Sequence, residues 1–178
     1  MIRKNFLTIV TEAEKMSLIN NLRTRHRVDV LAFKDDLLLA YLPEDVTQRP
    51  EVPGGGVDQE DFDLVKAAER ETMEESGWTI QNVKEVNVDY NTIFKPKDYN
   101  WLNKIGFDQE IQHTVKAEAV KYDPDKTYMS EGDGNKFSLV DPYRFINQTV
   151  YHIEISENDH WKFQACLRVA SLRSILGI

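Results

Sequence analysis

The chain has 178 residues, 41% apolar and 29% charged, a globular balance with room for a sizeable core that excludes disordered and fibrous classes. A net charge of −8 argues against broad nucleic-acid binding, which needs basic patches. It leaves small anionic substrates open, because a bound cation reverses the local field. The opening MIRKNFLTIVTEAEK is too charged, and its apolar run too short, for a secretory signal. No stretch approaches the roughly 20 apolar residues that span a bilayer. Cys166 is the single cysteine, so no internal disulfide or Cys-based zinc site can form, and a reducing, cytoplasmic setting is expected.

Residues 2–10 read as a short strand, and 12–23, with Met16, Ile19 and Leu22 at helical spacing, as a short helix. Two apolar runs, 28–33 and 37–42, flank Lys34-Asp35-Asp36 as in a hairpin. Residues 43–53 form a loop framed by prolines, and Gly54-Gly55-Gly56 reads as a break that no regular element accepts. A helix is predicted over 63–76 with Gly77 as its stop, and Leu64, Val65, Ala68 and Thr72 give it a stripe to pack on a sheet. Residues 80–90 alternate as a strand. Residues 91–110 are irregular and carry Phe94, Tyr99, Trp101 and Phe107, and 111–122 are a further strand.

The run Glu131-Gly132-Asp133-Gly134-Asn135 is a tight turn by composition. Ser156 and Asp159 resemble a capping pair for a last helix. Trp161, Ala165, Val169, Leu172 and Leu176 repeat there every three or four residues, and Gly177 stops it. Cys166 lies in this amphipathic stretch and is expected to be a buried structural thiol. There is no internal repeat. Strands and helices mix without regular βαβ alternation, so the expected class is α+β, a mixed sheet with flanking helices in one domain over residues 1–178.

The chemistry concentrates in residues 54–78, GGGVDQEDFDLVKAAERETMEESGW. At about 100° per residue, Glu71, Glu74 and Glu75 fall within an arc of roughly 100°. Carboxylates so placed repel one another, which destabilises a helix but suits a hard divalent cation with oxygen ligands. Arg70 is a fixed cation with a planar donor fork, suited to orienting a carboxylate. The glycines just before the helix let backbone approach other groups closely, and a helix N-terminus favours anions. Taken one at a time, Glu-rich faces are commonly solvated surface. The fixed spacing of the triple glycine, Arg-Glu, Glu-Glu and terminal glycine is what departs from that.

This segment resembles the Nudix box, written as Gly, five residues, Glu, seven residues, Arg-Glu, an apolar residue, any residue, Glu-Glu, any residue, Gly, apolar. Arg70-Glu71, Glu74-Glu75, Gly77 and Trp78 match in register. Gly55, five residues and Asp61 match the start, with Asp for Glu. Eight residues instead of seven separate Asp61 from Arg70, and Thr72 stands where an aliphatic residue is usual. The box spans about residues 55–78.

The resemblance implies an α/β/α sandwich round a mixed sheet, and hydrolysis of a diphosphate bond in a nucleoside diphosphate linked to another group. ADP-ribose, a dinucleotide or a nucleoside triphosphate would qualify. It implies Glu71, Glu74 and Glu75 as ligands of Mg2+ or Mn2+, Arg70 as the orienting group, and Gly55 and Gly56 beside the diphosphate. Asp61 would be a weaker outer candidate. The extra residue should be absorbed in the loop near Phe62 and Asp63, before the first full turn, so that the helix starts at about Asp63 or Leu64 with Asp61 outside it.

In this family the general base lies in the box or in a later loop. Glu131 and Asp133 are candidates for the second case, although acidic residues beside glycines also simply form turns. Trp101, Tyr99 and Phe107 could stack on a nucleobase, pack in the core or make a homodimer contact, and the 91–110 stretch is expected to govern substrate choice. His26, His113, His152 and His160 show no ligand spacing. A non-catalytic nucleotide-binding Nudix module and an isoprenoid diphosphate isomerase are the competing readings. The expected partner is a small nucleotide, with no membrane and no nucleic acid.

Overall fold

Alternation along one long strand decides the layers. The computed structural model describes residues 23–57, 63–86, 93–94, 104–126 and 136–178. In it, strand β1 (Thr24–Lys34) sends Val28, Val30 and Ala32 to one face and Leu31 and Phe33 to the other, as a period of two requires. The first face is covered by helix α1 (Leu64–Ser76), whose Ala67 and Ala68 meet Val30, Ile80 and Val115 in one core. The second face is covered by α2 (Pro142–Ile155) and α3 (Asp159–Leu176), where Phe145, Ile146, Val169 and Leu172 pack on Leu31 and Leu38. The result is the expected sandwich of helices about a mixed sheet, closed by a C-terminal helix.

The remaining strands are β2 (Leu37–Ala40), β3 (Gly54–Val57), β4 (Trp78–Glu85), β5 (Ile93–Phe94), β6 (Gln109–Tyr122) and β7 (Ser138–Val140). The sheet runs β4-β6-β1-β2-β7, with β3 on β1 and β5 on β6. β1 and β6 are parallel over Thr24↔Gln109 to Phe33↔Glu118, and every other pairing is antiparallel. The hairpin predicted at residues 34–36 is present, with Lys34 opposite Leu37 and Asp35 in the left-handed region at φ 54°. Among the described residues no helix is long and apolar enough to cross a membrane.

Several expectations need correction. Gly54-Gly55-Gly56 is not a break: it begins β3, paired antiparallel with Asp29, Val28 and Arg27. Glycine is required there by close approach. A Cβ on Gly54 would strike the Val28 carbonyl, and one on Gly55 the Glu71 carboxylate. The stripe of α1 also differs. Ala67, Ala68, Thr72 and Ser76 are buried while Val65 is 40% exposed, because small side chains let the helix lie close to the sheet. Thr72 replaces an aliphatic residue without an orphaned hydroxyl, since its Oγ1 donates to the Ala68 carbonyl at 2.7 Å.

Residues 91–110 are not wholly irregular: β5 pairs with β6, and β6 already begins at Gln109. Cys166 is exposed, because α3 turns Ala165, Leu167 and Val169 inward around it. Ser156 caps the C-terminus of α2, and Asn158 rather than a Ser156–Asp159 pair caps α3, accepting from the Trp161 N–H at 2.9 Å. Helix α2 itself was not anticipated, although Asp141-Pro142 is a start signal, with the Asp141 side chain accepting from Tyr143 N and Pro at the first turn. Asp61, Tyr99, Trp101, Glu131, Asp133, the 2–10 strand and the 12–22 part of the first helix lie outside the described residues.

The start of α1 is where the sequence placed it. Asp63 is its N-cap and accepts from Val65 N at 2.9 Å. Asp63→Ala should therefore lower stability by about 1 kcal/mol, read as a shifted midpoint in urea at unchanged slope.

Candidate functional site

The C-terminal half of α1 and strand β3 are stitched together by the residues singled out above. Arg70 is the hub: its Nη1 lies 2.9 Å from Glu71 Oε1 and 3.4 Å from Glu74 Oε2, and its Nη2 donates to the Gly56 carbonyl at 2.8 Å. Glu75 reaches across and accepts from Gly54 N at 2.9 Å. Gly55 has no side chain because the Glu71 carboxylate fills that space. So Arg70, Glu71, Glu74, Glu75 and the glycines form one assembly.

The electrostatics of the assembly are strained. Burial pushes the Glu71 carboxyl above its ordinary value, with Glu74 adding to the effect and Arg70 opposing it. Burial pushes Glu75 further, up to about 7, with Glu71 adding and the Gly54 N–H and Arg27 opposing. Oxygen-only donors, partly desolvated and mutually repelling, fit the chemistry of a hard divalent cation. The three share a face but do not converge on one point. Among the described residues no three His, Cys, Asp or Glu side chains are grouped to hold an ion as they stand, because Arg70 and Gly54 N–H hold these carboxylates apart.

On the far side of β3 a cavity of about 390 Å3 runs from Gly54 and Glu75 to the start of α3. Arg25, Arg27, Arg49 and Arg168 line it, together with Glu110, His160 and Trp161. Arg25 binds Glu110 at 3.0 Å, and His160 Nε2 lies 3.1 Å from the same carboxylate. Beneath Gly54 the buried Asp29 carboxylate bonds Arg168 at 2.5 Å and lies 3.5 Å from Arg27. Sequence reasoning missed all these arginines, read His160 as structural or exposed, and placed Trp161 in the apolar repeat of the last helix. A signal was present in TRHRVDV. Arg25 and Arg27 alternate on the strand, facing away from α1, and pair in register with Glu110 and Gln112 of β6. On the opposite face His26 Nδ1 lies 2.9 Å from His113 Nε2, and burial, with His113 adding to it, lowers His26 to about 4.

The three glycines should differ in their tolerance of a methyl group. Gly54→Ala meets rigid backbone and should cost about 1–3 kcal/mol, whereas Gly56→Ala meets only the Arg25 guanidinium at 3.3 Å and should cost far less. Chemical denaturation of the two variants side by side measures the difference.

The NUDIX domain family matches residues 23–151. Among solved structures, a NUDIX hydrolase from Nitrosomonas europaea aligns with a TM-score of 0.52 at 16% identity, covering 82% of this chain and 88% of that one. A UDP-X diphosphatase aligns with a TM-score of 0.52 at 9% identity, covering 94% of this chain and 73% of that one. At these identities the likeness is one of fold. No curated protein matches the chain.

Proposed function

This chain belongs to the Nudix family of pyrophosphohydrolases, and from that premise we propose that it hydrolyses, with a divalent cation, a diphosphate bond in a nucleoside diphosphate linked to another group. The observation that carries this reading is the Arg70–Glu71–Glu74–Glu75 cluster clamped to Gly54 and Gly56. Glu71, Glu74 and Glu75 would hold Mg2+ or Mn2+. Such an ion supplies charge neutralisation on diphosphate oxygens and a more acidic water.

The chain's own residues do the rest. Arg70 orients Glu71 and Glu74 through its guanidinium, and the two carboxylates would turn from it toward the ion on binding. Gly54 N–H fixes Glu75. The absence of a side chain at Gly55 leaves the space that the Glu71 carboxylate occupies. Glu131 and Asp133 remain our candidates for a loop-borne base, and Trp101 for a contact to the nucleobase.

A panel of nucleoside diphosphate sugars, dinucleotides and nucleoside triphosphates, each with magnesium or manganese and scored by phosphate released after phosphatase treatment, tests the reading. Turnover of at least one member, abolished by chelation, is the expected result. No turnover of any member with either metal would count against it.

A further inference from the structure

The C-terminal wall of the cavity lies beyond the residues that the family matches. Asn158, His160, Trp161, Gln164 and Arg168 all line it, whereas the match ends at residue 151. Whatever this wall binds is therefore a property of this chain and not of the box. From it we propose that the cavity seats an oxyanion, a carboxylate or phosphate that the substrate carries beyond its scissile diphosphate. This rests on the hydrolase reading above.

Two buried donors carry the inference. Trp161 Nε1 and Arg168 Nη1 have no hydrogen-bond partner, although the residues are only 5% and 3% exposed. A buried donor left unsatisfied costs about 1–3 kcal/mol, so two on one wall call for a ligand that brings acceptors. Three of the four neighbouring carboxylates are already engaged. Glu110 is held by Arg25 and His160, Glu51 by Lys136 at 2.6 Å and Glu75 by Gly54 N–H, while Asp29 bonds Arg168 through Oδ2 and its Oδ1 makes no hydrogen bond.

The surroundings select charge as well as acceptors. The Arg49 guanidinium lies over the Trp161 ring, 5.6 Å from its centre, at the exposed rim. The 18-residue helix α3 begins at the cavity, and its N-terminal end favours an anion. On the hydrolase reading the diphosphate lies at the Glu75 end of the cavity, which leaves the α3 wall to what lies beyond it.

Two matched substrate pairs test the proposal: UDP-glucuronate against UDP-glucose for a carboxylate, and ADP-ribose 1″-phosphate against ADP-ribose for a phosphate. In at least one pair the charged member should have the higher kcat/KM by roughly 10-fold or more, the scale of one charged hydrogen bond. The pair that shows it identifies the source. Trp161→Phe, which keeps the ring and removes the N–H, and Arg49→Gln should each bring that ratio down several-fold. A ratio near one in both pairs, or a ratio untouched by both variants, would overturn the proposal.

Orthophosphate binding to the metal-free protein at constant ionic strength, followed by melting temperature, decides the pocket independently of turnover. Saturable stabilisation weakened in both variants is expected, and none, or equal stabilisation in the variants, refutes it. Were no conjugate hydrolysed at all, the hydrolase reading would fall while this binding measurement still judged the cavity.

Discussion

Glu74→Gln and Glu75→Gln should each lower kcat at saturating magnesium by roughly 10²–10³-fold, several kcal/mol of lost transition-state stabilisation, in proteins that remain folded. The substitution separates charge from shape. At position 75 the amide oxygen can still accept from Gly54 N, so the stitch between α1 and β3 survives. The carboxylate it replaces is one that burial holds up to about 7, with Glu71 adding to the effect. A neutral amide avoids that desolvation, so the metal-free Glu75→Gln protein should melt no lower than the parent at pH 8. The Glu74 side chain is 39% exposed against 12% for Glu71, and its amide keeps an acceptor for Arg70. A steady-state assay paired with a thermal melt distinguishes the cases. Unchanged turnover in both variants would remove the catalytic assignment, and a collapsed melt would recast the cluster as structural.

What the sequence made readable, and what it hid, divides along a physical line. Features written in consecutive residues came through: the 34–36 hairpin, the cap and stop of α1, the acidic face, and the apolar repeat of α3. Features that depend on what lies opposite did not. Three glycines in a row look like a break until the Val28 carbonyl and the Glu71 carboxylate are seen to occupy the space their side chains would need. Val65 looks like a core residue by spacing alone, yet Ala67 and Ala68 carry the contact, because a helix docked close to a sheet admits only small groups. The cavity was the least readable part. Its walls come from β1, the loop after β2, β6 and α3, separated by more than a hundred residues of chain. Only the alternation of Arg25 and Arg27 hinted at it, and a polar period of two on a strand is ordinarily a solvated face. Here α3 covers that face, so the same pattern buries charge.

That buried charge leads to the second large effect. Arg168→Leu should destabilise the protein by about 3–5 kcal/mol at neutral pH, because it leaves Asp29 charged and buried without its closest counter-ion. Burial alone would push the Asp29 carboxyl up, but the Arg168 and Arg27 guanidiniums together draw it below its ordinary value. In the parent, then, the folded value is depressed, so the pair's contribution is present above about pH 4 and is lost as pH falls through the folded value. Removing Arg168 reverses the balance. Burial dominates, the folded value rises above the unfolded one, and the penalty is fully felt only once pH exceeds it. The difference in stability between parent and variant should accordingly be largest near pH 7 and shrink toward pH 4 as Asp29 takes up a proton. Adding Asp29→Asn to the variant should recover much of the loss at pH 7 and little at pH 4, since the amide removes the same charge that the proton does. Urea unfolding of the parent, single and double variants at the two pH values measures all of this. A penalty that does not change with pH, or one the second substitution leaves untouched, would mean that Arg168 acts through its packing and not through Asp29.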